Sequence, residues 1–122
     1  MRNDEIQDYI NKAIEKAVRE RLAGRTDAFT RTEALLRDYE LYKASEEPEA
    51  RRAVEKIDKA LDTIINDPYY DIVPLFYVAG WTCEAIADKY GAAASTIYRN
   101  KRRLVERVKK ALFLSESIRE LL

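Results

Sequence analysis

Three glycines and three prolines are all that the 122-residue chain contains, and their positions limit the fold more than any other feature. Five of the six fall where a helical period of apolar side chains breaks: Gly24, Pro48, Pro68, Gly80 and Gly91. Proline favours the first position of a helix and glycine favours the position just after its end. The alternation of apolar and polar residues that is typical of strands does not occur. The sequence therefore predicts an all-α fold in which short turns join the helices.

Two segments near the N-terminus have helical periodicity. The first runs from about Asp4 to Leu22 and places four residues on one face: Ile6, Ile10, Ala13 and Ala17. In the second, Thr30 is followed three residues later by Glu33, which is the pattern of a capping box. We expect this second helix to begin there and to reach about Ser45. Its apolar stripe contains Leu35, Tyr39 and Tyr42.

A third helix is predicted to begin at Ser45 and Pro48, with a seam spaced as in a coiled coil. The seam consists of Ala50, Val54, Ile57, Leu61 and Ile64. The second helix has a similar spacing at Ala28, Thr32, Leu35, Tyr39 and Tyr42. Because the connector is short, an antiparallel hairpin within the chain is favoured. Pairing of the same faces between two chains is the alternative.

The most apolar stretch of the chain follows, from Tyr69 to Val78. Asp67 can cap a helix there, with Pro68 in its first position. Pro74 lies inside the stretch and cannot donate a backbone hydrogen bond. Either the helix is kinked at Pro74, or it begins later with Asp71 as its cap and Pro74 in the first turn. The sequence leaves both alternatives open.

The segment from residue 80 onward, GWTCEAIADKYGAAASTIYRNKRRLVERVKKALF, has the spacing of a helix-turn-helix. Thr82 can cap a short helix, and Gly91 can adopt the left-handed conformation that ends it. A second helix is expected to start near Ala94. Ala87 is small where the two helices cross, and three larger side chains are expected to fill the wedge between them: Ile86, Tyr90 and Ile97.

The charge distribution distinguishes this segment from an ordinary helical corner. The whole chain is neutral, but residues 79–113 carry a net charge of +5 and residues 1–78 a net charge of −4. On a helical wheel, one face of the second helix is apolar: Ile97, Leu104, Val108 and Ala111. The opposite face is basic: Arg99, Arg102, Arg103, Lys109 and Lys110. A basic helix that follows such a turn indicates binding to double-stranded DNA.

The second helix of a helix-turn-helix lies in the major groove with its N-terminal side chains toward the base edges. The candidate DNA-binding residues are Ser95, Thr96, Tyr98, Arg99, Arg102 and Arg103. We expect Arg99 to read guanine through its O6 and N7 atoms. Ser95 and Thr96 are expected to hold phosphates, and Arg102 and Arg103 to contact the backbone or the next bases. Lys109 and Lys110 lie about 15 Å farther along the helix and are left out of the site.

The segment resembles region four of sigma factors and, more closely, the phage-encoded ArpU and RinA type transcriptional regulators. The resemblance covers about residues 68–113. The residues that carry it are Tyr69, Tyr70, Asp71, Ile72, Tyr77, Gly80, Trp81, Glu84, Ile86, Ala87, Ser95, Thr96, Ile97, Arg99, Asn100, Lys101, Arg103 and Leu104. It implies a phage or prophage regulator of transcription. Ala93 departs from the family pattern, which has Ser or Thr as the cap of the recognition helix, and Ala94 replaces a longer polar residue.

Composition argues against several other functions. The chain has no histidine and a single cysteine, Cys83, so zinc sites, Cys-His nucleophiles and an internal disulfide are not expected. No glycine-rich phosphate loop or convincing carboxylate pair is present, so we expect neither an enzyme nor a cofactor. No apolar run is long enough to span a membrane, and a cytoplasmic protein is the simplest interpretation. Cys83, Trp81 and Phe113 are interpreted as packing residues of the core. The alternatives are a reactive thiol at Cys83 and stacking of Trp81 and Phe113 on nucleotides.

One helix-turn-helix buries only about 600 to 1,000 Å² on DNA, so tight binding needs a partner. We expect residues 1–66 to be a helical region for packing or oligomerisation and residues 67–122 to be the DNA-binding domain. The predicted partner is a second copy bound through the N-terminal helices, and RNA polymerase is the alternative. Two rival functions are a small terminase-like subunit for DNA packaging and a partial sigma-like factor. A ring of eight or more copies would favour packaging over regulation.

Overall fold

The computed structural model describes residues 5–12 and 27–114. All regular structure within these residues is helical, which confirms the all-α class. Residues 5–12 belong to helix α1, on which Ile6, Tyr9 and Ile10 are exposed. Ala13, Ala17 and Gly24, which also enter the predictions for this region, lie outside the described residues. The other elements are α2 (Asp27–Arg37), α3 (Tyr39–Ala44), α4 (Pro48–Asp62), a π-helical turn (Pro74–Val78), α5 (Cys83–Tyr90) and α6 (Ala94–Leu112).

Helix α2 begins earlier than the sequence predicts. Its first residue is Asp27, so Thr30 lies inside the helix and the predicted capping box is wrong. Glu33 has a different role, because its Oε2 atom accepts a hydrogen bond of 2.7 Å from the Tyr77 hydroxyl. Tyr77 is far away in sequence, and a short-range capping pattern cannot anticipate such a bond. The bond joins α2 to the π-helical turn.

Helices α3 and α4 form an antiparallel hairpin within the chain. The predicted second helix is divided at Asp38, whose ψ of 5° departs from helical geometry, and α3 follows this break. In the connector, Ser45 Oγ accepts a hydrogen bond from the backbone N–H of Glu47, and Pro48 occupies the start of α4. The Tyr39 hydroxyl donates to Asp58 Oδ1 at 2.7 Å across the pair. The seam predicted for α4 faces inward: Ile57 and Ile64 are buried, and Ala50, Val54 and Leu61 are half-buried.

The chain between α4 and α5 forms two successive turns. Asp67 Oδ1 accepts a hydrogen bond from the backbone N–H of Tyr69 at 2.9 Å, so Asp67 caps the turn at Pro68. Pro74 lies at the start of the π-helical turn, where its missing N–H breaks no helical bond. The later start of this helix is therefore the alternative that the structure adopts. The two residues before Pro74 are also helical, and the carbonyl oxygen of Asp71 accepts a hydrogen bond from the N–H of Leu75 at 3.0 Å, so the segment starts just after Asp71, as this alternative predicts.

Two clusters of buried side chains hold these elements together. The first contains Leu36, Ile57, Ala60, Ile64, Val73, Tyr77, Leu104, Val105 and Val108. The second contains Ile72, Cys83, Ile86, Ala87 and Ile97. Tyr69 and Phe76 pack against both clusters, and α6 contributes residues to both. Residues on the two sides of position 66 thus share the first cluster, and α6 is fixed along most of its length.

Candidate nucleic-acid interface

The turn between α5 and α6 has the geometry that the sequence predicts. Thr82 Oγ1 accepts a hydrogen bond from the backbone N–H of Ala85 at 3.1 Å and caps α5. Gly91 ends α5 in the left-handed conformation, with φ 62°. The N–H of Gly91 donates to the carbonyl oxygen of Asp88, and the N–H of Ala92 donates to that of Ala87. This pair of bonds is a Schellman motif, which satisfies the last carbonyl groups of α5.

Replacing Gly91 by alanine tests the cost of this turn. A Cβ atom added at Gly91 would have no heavy atom within 4 Å, so the penalty arises from the left-handed backbone and not from a clash. We expect Gly91→Ala to lower the free energy of unfolding by about 1 to 2 kcal/mol. Urea denaturation of both proteins measures this difference. An unchanged midpoint would show that the turn tolerates a side chain. The control is Ala92→Gly, which makes the reverse exchange at the next residue.

The wedge between α5 and α6 is closed by apolar side chains. Ile86 and Ile97 are fully buried. Ala87, which is 4% exposed, belongs to the same cluster of side chains between the two helices. Tyr90 is half-buried and stacks against Tyr69, with ring centroids 5.4 Å apart. Cys83 is buried as well, as its interpretation as a packing residue predicts. These contacts fix the orientation of α6 against α5.

Five of the six predicted DNA-binding residues lie on the outer side of the first half of α6. Ser95, Tyr98, Arg99 and Arg102 are exposed, and Thr96 is half-buried. Ala93 is the N-cap residue and makes no side-chain capping bond, as expected from its sequence. The Arg102 guanidinium lies 5.5 Å from the centre of the Phe29 ring of α2. An arginine stacked on an aromatic ring keeps the edge of its guanidinium available for hydrogen bonds.

The sixth predicted residue, Arg103, is exposed but paired within the protein. Its Nη1 and Nη2 atoms donate to the two oxygens of Asp67 at 2.8 and 2.9 Å, and its Nε atom donates to Asn100 Oδ1 at 3.2 Å. Arg107 contacts the same carboxylate at 3.4 Å and donates to the carbonyl oxygen of Thr63 at 2.8 Å. The pKa of Asp67 is lowered to about 2, and the main cause is hydrogen bonding from Arg103. We call Asp67, Arg103 and Arg107 the carboxylate clamp.

Besides Asp67, acidic side chains lie beside this basic surface at two places. The negative charge of Glu84, on the first turn of α5, is the main cause of a raised pKa at Tyr98. Glu106 lies seven residues after Arg99 and hence on the same face of α6. It pairs with Lys109 at 2.7 Å. The outward basic face is therefore interrupted at Glu106, whereas Arg99 and Arg102 pair with none of the acidic side chains that the structure describes.

Two residues near this surface have environments that the sequence does not predict. Trp81 is 40% exposed, so its interpretation as a packing residue of the core is wrong. The sequence predicts no contact for Lys101 of α6, but its ammonium group lies 3.9 Å from the centre of the Phe76 ring. Lys101 is half-buried by this contact with the π-helical turn. Neither environment follows from helical periodicity, because both depend on where the turn before α5 lies.

Other kinds of site find no support in the described part of the chain. Residues 5–12 and 27–114 contain no group of three or more side chains that could hold a metal ion. The helices described there are too short or too polar to cross a membrane. Comparisons with family models, with curated proteins and with solved structures found no significant match. The function must therefore be argued from the geometry of α5 and α6.

Proposed function

We propose that the protein binds double-stranded DNA, with α5 and α6 acting as a helix-turn-helix. The observation that carries this proposal is the exposed, basic first half of α6 directly after a rigid turn. The turn is closed by the Gly91 Schellman motif, and Arg99 and Arg102 project from the free side of the helix. The major groove of DNA is wide enough to admit one α-helix, and its surface is rich in hydrogen-bond acceptors at guanine.

In the proposed complex, the first half of α6 lies in the major groove. Arg99 reads a guanine through two hydrogen bonds to its O6 and N7 atoms. Ser95 and Thr96 are near the N-terminus of the helix and are assigned to phosphates, together with Tyr98 at the edge of the surface. Arg102 is assigned to the DNA backbone, whereas Arg103, which the sequence also predicts to contact DNA, is paired with Asp67. No enzymatic step is part of the proposal.

The biological role proposed is that of a transcriptional regulator of phage or prophage type, acting in the cytoplasm. This part of the proposal rests on the resemblance to ArpU and RinA type regulators. A second copy, bound through the N-terminal helices, would place two recognition helices about 34 Å apart on a palindromic site. The exposed apolar residues Ile6, Tyr9 and Ile10 on α1 support such a contact. RNA polymerase is the alternative partner.

Selection of bound sequences from random duplexes, followed by a salt titration, tests the proposal. We expect a recurring sequence motif with guanine at one or more positions. We also expect the logarithm of the affinity to fall linearly with the logarithm of salt concentration, with a slope near −0.9 for each neutralised phosphate. Binding that is independent of salt, or an absence of any enriched sequence together with no measurable duplex affinity, would contradict the proposal.

A further inference from the structure

The carboxylate clamp places one acidic group directly behind two of the arginines of α6. Asp67 lies in the turn after α4, and its side chain is only 10% exposed, whereas those of Arg103 and Arg107 are 43% and 46% exposed. Its oxygens receive hydrogen bonds from both arginines and from the backbone N–H of Tyr69. The three side chains together carry a net charge of +1 where two unpaired arginines would carry +2.

Moving an arginine from this pair to a DNA phosphate costs free energy. If Arg103 left the clamp, the largely buried Asp67 carboxylate would lose its two shortest ionic hydrogen bonds. A buried charge that loses its partner is strongly unfavourable. Arg103 is held further by its bond to Asn100, and Arg107 by its bond to the carbonyl oxygen of Thr63. Both arginines are therefore fixed to the protein, in contrast to Arg99.

We propose that Asp67 limits the sequence-independent attraction of the protein for DNA by retaining the charges of Arg103 and Arg107 within the fold. This inference rests on the proposed DNA-binding function. Each phosphate that is neutralised by a free cation releases a counterion and increases affinity for any duplex. Because the clamp reduces the number of such cations, binding depends more on base contacts by residues such as Arg99. Asp67 is thus a residue that sets the electrostatic part of the affinity without itself touching DNA.

The variant Asp67→Asn tests this inference. Asparagine keeps an oxygen that can accept the hydrogen bond from Tyr69, so the turn is retained, but the charge that holds the arginines is lost. We expect the affinity for random-sequence duplex at 100 mM salt to rise about fivefold to tenfold. We also expect the slope of log affinity against log salt to become more negative by about 0.9 for each freed arginine that reaches a phosphate. Fluorescence anisotropy over a range of salt concentrations measures both.

Two further variants separate the clamp from a general change in charge. Asp71→Asn removes the same charge from an exposed residue four positions later, and we expect it to leave the slope unchanged. The double variant Asp67→Asn with Arg103→Gln is expected to lose most of the gain. An Asp67→Asn slope equal to that of the parent, or equal to that of Asp71→Asn, would overturn the inference. If the parent itself shows no salt-dependent binding, the proposed function fails as well, which is a distinguishable result.

A measurement on the unmodified protein decides the matter even if Asp67→Asn does not fold. The side-chain N–H signals of arginine can be followed by NMR during titration with a duplex. We expect the signal of Arg99 to shift on binding and that of Arg103 to stay near its free position, because the Asp67 pair persists. A shift of the Arg103 signal as large as that of Arg99 would show that Arg103 leaves the clamp, and the inference would be wrong.

Discussion

Arg99→Ala is expected to change which DNA sequence the protein prefers. Arg99 is exposed and lies one helical turn after Ser95, on the side of α6 that faces away from both buried clusters. A bidentate contact from arginine to guanine provides about 1 to 3 kcal/mol of discrimination. Its removal should reduce the preference for the selected duplex over a duplex with that guanine replaced by roughly 5-fold to 150-fold. Sequence selection with the variant, and affinity ratios for matched duplexes, measure the effect.

Lys110→Ala is the matched control for Arg99→Ala. Lys110 is also an exposed basic residue of α6, but it lies about 16 Å farther along the helix axis, beyond Glu106. We expect its removal to leave the selected sequence unchanged. If Arg99→Ala retained the parental sequence preference and only weakened all duplexes equally, Arg99 would be a phosphate contact. The assignment of base reading to this residue would then be wrong.

The parts of the interface that the sequence predicts correctly are those that short-range rules determine. Thr82 caps α5, Gly91 is left-handed, and α6 begins at Ala94. Each depends on the backbone preference of one residue and on neighbours within a few positions. The burial of Ile97 also follows from the helical period, because the inner face of a helix is defined by spacing alone. Local signals are sufficient for the bounds of α5 and α6 and for the turn between them.

The parts that the sequence does not predict depend on contacts between distant residues. Asp67 and Arg103 are 36 positions apart, and nothing in either local pattern indicates that they meet. The pattern of Thr30 and Glu33 predicts a cap, yet the partner of Glu33 is Tyr77, 44 positions away. Trp81 is 40% exposed, and its backbone N–H donates to the carbonyl oxygen of Leu75 in the π-helical turn. In each case the three-dimensional arrangement of segments, and not helical periodicity, decides the environment.

The same arrangement determines how α6 is supported. Ile97 belongs to the cluster shared with α5, whereas Leu104, Val105 and Val108 belong to the cluster shared with α2 and α4. Since one continuous helix carries both sets, loosening either cluster removes support from α6. The helical hairpin before residue 66 thus helps to support the proposed DNA-binding surface.

Leu104→Ala is expected to remove a large share of the stability of the fold. Leu104 is fully buried in the first cluster. Large-to-small substitutions at such positions cost about 2 to 5 kcal/mol, because apolar contacts are lost and a cavity remains. The total free energy of unfolding of a small domain is only about 5 to 15 kcal/mol. Urea denaturation measures the change, and Leu41→Ala, at a residue that is 70% exposed, is the control, with an expected effect within about 0.5 kcal/mol.

The two clusters are expected to unfold in one transition. Ile86 is fully buried in the second cluster, on α5, and has no place in the first. Because α6, Tyr69 and Phe76 connect the two clusters, we expect Leu104→Ala and Ile86→Ala to shift the same single transition. Two transitions, with each variant moving only one, would mean that α5 and α6 unfold separately from the hairpin. The rigidity of α6 would then not depend on the N-terminal helices.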